Sequence, residues 1–299
     1  MAMILPCATS DPWCRQGDQA AKRLAPQGII TLKETVGAPQ DTAAAEQVIR
    51  QYAQSGVSLV VAYSTLQDAT APVAQKFPKT SFATFGIKPT NNVALFDEPI
   101  YQASYLAGIL AGGITKSHVI SGVAGQDIPL CHAEMLAFQA GAKTVNPNIR
   151  QVTTYIGDWN DVAKSQQAVS GQIDQKSDVV LACGGAQANG MAQAIKARNV
   201  SGFGYVGDIS PQAPKNMVGT IIYDPYPYLK AMAEAVKAGT FEPAKLYSFG
   251  LRQGGVSLQL NPQYSAAKIP AAVMAKMEKV RAQIMSGKFN VPYVPTGNG

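Results

Sequence analysis

Short apolar runs alternate with stretches of helical spacing along most of the chain. The apolar runs are rich in β-branched and aromatic residues, which is typical of strands, whereas apolar residues three or four positions apart are typical of helices. The predicted strands are 2–7, 29–32, 57–62, 81–85, 119–123, 152–156, 179–182, 203–206 and 217–223. The predicted helices are 18–24, 43–55, 69–77, 101–113, 130–145, 161–175, 187–198, 226–238 and 269–285. This alternation predicts an α/β fold with parallel sheets covered by helices on both faces.

The pattern forms two series, separated by the helical segment 101–113, which ends in Gly112-Gly113. After residue 206 the order of elements changes, and the segment 246–260 contains a Gly254-Gly255 turn. We therefore predict two Rossmann-like lobes joined by a three-strand hinge. The predicted N-terminal lobe is 1–113 plus 225–252, the C-terminal lobe is 114–224 plus 253–299, and the hinge strands lie near 113–117, 223–225 and 251–254.

The composition narrows the class of protein. Of 299 residues, 46% are hydrophobic and 15% are charged, and no segment approaches the ~18 consecutive apolar residues of a membrane span. The net charge of +6 is spread along the chain, and its largest basic groupings are pairs such as Lys22–Arg23, so we expect no nucleic-acid partner. The chain begins directly on an apolar strand, as an exported domain without its signal segment would, although a cytosolic protein could begin in the same way.

The four cysteines can form two disulfides in three ways. We favour Cys7–Cys14 and Cys131–Cys183, since each pair would then lie within one lobe. Four reduced, buried cysteines are the alternative.

The sequence offers little for catalysis. His132 follows Cys131, but adjacent residues on a helix point about 100° apart and do not form a dyad readily. The glycine-rich stretch from Gly184 to Gln187 lacks the Lys-Ser/Thr of a phosphate-binding loop. We therefore predict a protein that is not an enzyme and has neither a cofactor nor a metal site.

In parallel sheets of this kind, ligands bind beyond the carboxyl ends of the strands. Here those ends are followed by the loops 9–15, 64–67, 96–101, 125–129, 157–161, 184–187 and 207–211.

A family resemblance runs in order across nearly the whole chain. It rests on Asn92-Val93, on Ser104-Tyr105-Leu106-Ala107-Gly108, on the strand and Asp127-Ile128-Pro129 turn in 120–129, and on 141–147, 157–164, 173–180, 203–205, 250–258 and 284–289. These segments resemble the basic membrane protein family, the purine-nucleoside-binding class of ABC transporter substrate-binding lipoproteins. The resemblance implies a type I periplasmic binding protein fold, in which a ligand is held in an interlobe cleft by hinge closure.

The resemblance also indicates which residues bind. A purine needs aromatic faces and a few fixed polar groups. Asp11 and Trp13 occupy the first strand–helix junction, where the family holds the base, although Asp11 could equally cap the helix. Trp159 is the predicted second stacking face, and Asp161 is expected to cap its helix. The remaining candidates are Tyr63, Phe96 and Tyr101 as walls, with core packing the favoured alternative for Phe96, and Asp127, Gly185, Gln187, Asp208 and Tyr223 as polar or close-approach positions.

One departure from the family pattern bears on the ligand. Nucleoside-binding members use a lysine at the end of a late strand on the sugar, and here Tyr223-Asp224 stands in its place. We therefore expect a nucleobase in preference to a nucleoside. The expected partner is an ABC transporter membrane permease, the expected location periplasmic or membrane-anchored extracytoplasmic, and the expected state a monomer. The alternative is a sensor that presents a small aromatic or other solute to a membrane receptor.

Overall fold

A computed structural model describes residues 1–86, 90, 92–264 and 268–296 of the chain. The strands are β1 (Ala2–Leu5), β2 (Lys33–Val36), β3 (Leu59–Ala62), β4 (Ser81–Phe85), β5 (Ala94–Asp97), β6 (Val119–Ala124), β7 (Arg150–Tyr155), β8 (Val179–Cys183), β9 (Ser201–Gly204), β10 (Met217–Tyr223), β11 (Leu246–Ser248) and β12 (Val256–Leu260). The helices are α1 (Pro12–Leu24), α2 (Thr42–Gln54), α3 (Gln67–Lys76), α4 (Tyr101–Ile114), α5 (Pro129–Lys143), α6 (Val162–Asp174), α7 (Gly185–Arg198), α8 (Tyr226–Ala238) and α9 (Ala271–Met285).

The first of two units comprises Met1–Pro99, Asp224–Phe249 and Gln253–Gly255. Its sheet has the strand order β11-β5-β4-β3-β1-β2, and every pair of neighbours is parallel. All residues of β1 and β3 are buried, because helices cover the sheet where these central strands lie.

The second unit comprises Ile100–Tyr223, Gly250–Arg252 and Val256–Gly299. Its sheet has the order β12-β10-β9-β8-β6-β7, parallel except for the antiparallel pair β10–β12. Two largely parallel α/β sheets confirm the predicted fold class.

Helix α4 packs in the second unit, whereas the predicted lobe boundary placed it in the first. Its glycines explain the placement. A Cβ on Gly108 would lie 2.0 Å from the carbonyl oxygen of Phe138, and one on Gly112 would lie 2.4 Å from that of Ala142. The backbones of α4 and α5 therefore approach each other closely only because these positions carry no side chain.

Strands β2 and β5 of the first sheet differ most from the prediction. β2 begins four residues later than the predicted run 29–32, because the edge of the sheet is formed by the half-exposed Lys33–Val36 rather than by the apolar residues before it. β5 was not predicted, and its last two residues fell in the predicted loop 96–101. It forms by pairing with β4 and β11 on either side.

Both favoured disulfides are present. Cys7 is joined to Cys14 and Cys131 to Cys183, each pair within one unit, and no described cysteine is free. The first ties the loop after β1 to α1, and the second ties α5 to the end of β8. Both bonds therefore lie beside the carboxyl ends of strands.

Among the described residues, none of the helices combines the length and apolarity that a membrane crossing requires.

Candidate functional site

The carboxyl ends of the strands in each unit carry most of the predicted binding residues, and the two edges are described separately. In the first unit, Asp11 accepts hydrogen bonds from the backbone N–H groups of Trp13 (2.8 Å) and Cys14 (3.3 Å), so it caps α1. Pro12 takes the first helical position, where a missing N–H costs nothing. The cap begins α1 six residues earlier than predicted and places Trp13 in its first turn.

The indole of Trp13 lies at the end of an aromatic stack. Its ring centroid is 4.2 Å from that of Tyr63, with 27° between the planes, and the stack continues from Tyr63 to Phe96 at 5.6 Å and from Phe96 to Tyr228 at 4.8 Å. Phe85 meets Trp13 edge-on at 6.3 Å. Tyr63 and Phe96 are fully buried, so in this structure they support the indole from behind.

Glu98 accepts a hydrogen bond of 2.9 Å from the indole nitrogen of Trp13. Burial raises the pKa of Glu98 from 4.5 to about 8, against the opposing effect of the Trp13 bond. Burial also raises the pKa of the adjacent Asp97 to about 6, although the Ser248 hydroxyl donates to it at 3.0 Å. The sequence prediction did not include either acid. Two consecutive acids directly after an apolar run were the available signal.

In the second unit, Trp159 follows β7 and keeps 38% of its surface exposed. Gln187 is fully buried and donates a hydrogen bond of 2.8 Å to the backbone carbonyl of Asp158. Gly185 begins α7 and is also buried. Asp161 caps α6 by accepting from the backbone N–H of Lys164 at 2.8 Å, which confirms the expectation for that residue.

Asp127 lies exposed in the loop after β6 and contacts the Nε2 atom of His132. The other ring nitrogen of His132 is 3.0 Å from the Tyr155 hydroxyl. Burial, followed by the charges of Asp127 and Glu134, raises the pKa of Tyr155 to about 12. This tyrosine therefore stays protonated, and the chain of contacts restrains the carboxylate of Asp127.

Three other predicted binding residues, Tyr101, Asp208 and Tyr223, interact with groups of the protein itself. Tyr101 packs against Tyr293 with ring centroids 5.3 Å apart. Asp208 is exposed and accepts from the backbone N–H of Ser210 at 2.9 Å. Tyr223, the last residue of β10, is fully buried.

A buried polar pair below the second edge was not predicted. The Tyr205 hydroxyl donates to Glu134 at 2.9 Å, and Glu134 has no exposed surface. The two residues are 71 positions apart along the chain, so no local pattern in the sequence identified the pair.

Cys7, Asp11 and Cys14 place possible metal-ligand atoms within 4.8 Å of one another, and no other such group of three occurs in the described ranges. Their sulfur atoms are joined in a disulfide and the carboxylate caps α1. Because a thiolate is the metal-binding form of cysteine, these residues do not fit a metal site in the oxidised protein.

Residues 2–293 match the family model for PnrA-like ABC transporter substrate-binding proteins. A purine-binding protein of Brucella abortus is 26% identical over 284 residues, which cover 93% of this chain and 78% of that protein. An ABC transporter nucleoside-binding protein of Lactococcus lactis is 27% identical over 254 residues, 76% of this chain and 69% of that one.

A solved structure of an ABC transporter solute-binding protein from Conexibacter woesei has a TM-score of 0.80 and 26% sequence identity to this chain. The match covers 98% of each chain.

Proposed function

The chain belongs to the Bmp family of PnrA-like ABC transporter substrate-binding proteins, and we propose that it captures a purine-type solute, a free nucleobase in preference to a nucleoside. Proteins of this family are not enzymes. They act outside the cytoplasm, bind a small molecule and deliver it to a transporter permease. The purine itself, the monomeric state and the periplasmic or membrane-anchored location are part of the proposal.

One observation carries the choice of a flat aromatic ligand. The chain has two tryptophans, and each lies at the carboxyl edge of a sheet with packed groups supporting its ring: the Tyr63 ring for Trp13, and the backbone beside Gly125 for Trp159. An indole held in this way can stack on a base with little further loss of side-chain freedom. We propose that the ligand engages both indoles.

The two acids at the first edge support a neutral ligand that donates hydrogen bonds. Asp97 and Glu98 are both acidic, and Glu98 is in direct contact with Trp13. A carboxyl group can accept a hydrogen bond from a ring N–H or an exocyclic amino group, whereas a phosphate would meet the negative charge that Asp97 carries above about pH 6. These acids therefore favour a base and disfavour a nucleotide.

The preference for a base over a nucleoside rests on Tyr223 and Asp224. Tyr223 is fully buried, and the Asp224 carboxylate accepts from the Arg23 guanidinium at 2.8 Å and from the Tyr226 backbone N–H at 3.0 Å. Both positions are engaged in the fold, in the place where the resemblance indicates a sugar-binding lysine.

Calorimetric titration tests this proposal with adenine, hypoxanthine, guanine, their nucleosides, uracil and glucose. We expect bases to bind and nucleosides to bind at least about tenfold more weakly, the effect of losing one charged hydrogen bond. Trp13→Ala and Trp159→Ala should each cost about 1–3 kcal/mol of binding free energy if each indole stacks on the base.

The matched controls are Leu246→Ala in the first unit and Met285→Ala in the second, since both side chains are large, apolar and exposed. They should bind as the wild type does. Unchanged affinity in both tryptophan variants contradicts the stacking proposal, and binding of another solute class alone contradicts the purine assignment.

We further propose that the ligand favours a closed state reached by a hinge motion. A ligand shifts an equilibrium between an open and a closed state only through its higher affinity for one of them. Small-angle scattering of the base complex should then give a smaller radius of gyration than the ligand-free protein. An unchanged radius at saturating base argues against closure while leaving binding intact.

A further inference from the structure

The indole of Trp159 rests on the backbone where two neighbouring strands end. Gly125 follows β6 and Gly184 follows β8, and the backbone N–H of Gly125 donates to the carbonyl of Cys183 at 3.1 Å. A Cβ on Gly125 would lie 2.2 Å from Cε3 and 2.7 Å from Cζ3 of Trp159. A Cβ on Gly184 would lie 3.1 Å from Cζ3. The ring occupies the space that side chains at these two positions would fill.

The two glycines are required for different reasons. Gly184 has a φ of +121°, a region that residues with side chains rarely adopt. Gly125 is not among the glycines with positive φ, so alanine could adopt its backbone conformation. What excludes a side chain at Gly125 is the indole itself.

Two carboxamides hold the loop that carries Trp159. Gln126 donates to the carbonyl of Gly157 at 2.9 Å, and the buried Gln187 donates to the carbonyl of Asp158 at 2.8 Å. The Asp158 carboxylate in turn accepts from the backbone N–H of Asn160 at 2.7 Å. The backbone on the N-terminal side of the indole is thus fixed from two directions.

We propose that Gly125, with Gly184, Gln126 and Gln187, acts as a set of positioning residues that preform the Trp159 ring as a stacking face. One side of the ring packs on the strand ends, and 38% of the side chain stays exposed. A ring restrained before binding loses less freedom when the ligand arrives, so its placement contributes directly to affinity. This inference rests on the proposed function for the ligand, whereas the placement of the ring can be measured without one.

The placement of the Trp159 ring can be measured by tryptophan fluorescence. In a Trp13→Phe chain, Trp159 is the remaining tryptophan. Adding Gly125→Ala should displace the ring, so that acrylamide quenches it more strongly and its emission shifts to longer wavelength. Gly171→Ala is the matched control, because it lies on α6 in the same unit and a Cβ there meets nothing within 4 Å. It should leave both signals unchanged.

The consequence for binding is measured as the Kd for adenine, in chains that retain Trp13. We expect Gly125→Ala to raise the Kd for adenine by about tenfold, the effect of losing a well-placed stacking contact. Phenylalanine lacks the fused benzo ring that carries Cε3 and Cζ3, so in a Trp159→Phe background the same substitution should change the Kd by less than about twofold. Such coupling is what a double-mutant cycle detects, and a general loss of stability would not produce it.

Gln126→Ala is the second variant, should Gly125→Ala fold poorly. It removes only the bond to the Gly157 carbonyl and should increase quenching to a lesser degree. Wild-type quenching in both variants, or an equal change of Kd with and without the indole, overturns the positioning role. A wild-type protein that binds no base overturns the proposed function instead, and the quenching measurements then decide the placement of the ring alone.

Discussion

Glu98 and Trp13 show how one buried contact can serve two purposes. Glu98 is 5% exposed and its carboxyl group accepts the indole N–H, which fixes the ring in its plane against Tyr63. Burial makes the charged form costly, and the neighbouring Asp97 adds like charge, so Glu98 retains its proton at a pH where an exposed glutamate has lost it. A neutral carboxyl can both donate and accept, which suits the proposed recognition of a base edge.

The raised pKa of Glu98 makes stability depend on pH. Between about pH 4.5, its ordinary value, and about pH 8, its value in the fold, the folded protein binds more protons than the unfolded chain. The free energy of unfolding should therefore fall as the pH rises through this window, by on the order of a few kcal/mol, and level off above it.

Glu98→Gln keeps an acceptor for Trp13 and removes the titration. In urea unfolding of the oxidised protein from pH 5 to 9, this variant should lose much of the decline and be more stable than the wild type at pH 8. Glu234→Gln, on the exposed face of α8, is the control and should keep the wild-type profile. A Glu98→Gln profile parallel to the wild type would show that Glu98 is not the group responsible.

Among the helices and strands, the sequence predicted those whose positions follow from the spacing of apolar residues. Long helices and fully buried strands such as β3 and β8 were predicted at nearly their observed positions, because both faces of a central parallel strand are apolar. Elements that depend on distant partners were not. β5 needs β4 and β11 beside it, and the segment containing the Gly254-Gly255 turn contributes β11 to one sheet and β12 to the other.

The residues of the candidate site divide in the same way, into those that a local pattern predicts and those that depend on distant partners. The positions of Trp13 and Trp159 after strands could be predicted, since a strand end is visible in the local pattern. Two of the groups that hold these rings could not be predicted, because Glu98 lies 85 residues from Trp13 along the chain and Gly125 lies far from Trp159 in sequence. Which acid or glycine meets an indole is decided by strand order, and strand order is not a local property.

Each of the two units has a disulfide beside the carboxyl edge of its sheet. Each bond closes a loop within its own unit, with a sequence separation of 7 for Cys7–Cys14 and 52 for Cys131–Cys183. In the first unit the bond anchors the helix that carries Trp13, and in the second it anchors α5, which carries His132 and Glu134. A cross-link at these places stabilises the fold and the carboxyl edge of the sheet together.

The two bonds should contribute unequally to stability. A cross-link restricts the unfolded chain more when the loop is longer, which gives about 2 kcal/mol for the short loop and about 4 kcal/mol for the long one. The paired variants Cys7→Ser/Cys14→Ser and Cys131→Ser/Cys183→Ser should therefore both melt below the wild type, the second by more.

Thiol titration of the unreduced wild type under denaturing conditions should find no free thiol, since every cysteine is paired. A reductant should lower the melting temperature of the wild type and leave a variant without cysteines unchanged. Equal losses from the two pairs would contradict the loop-length account, whereas four free thiols would contradict the disulfides themselves.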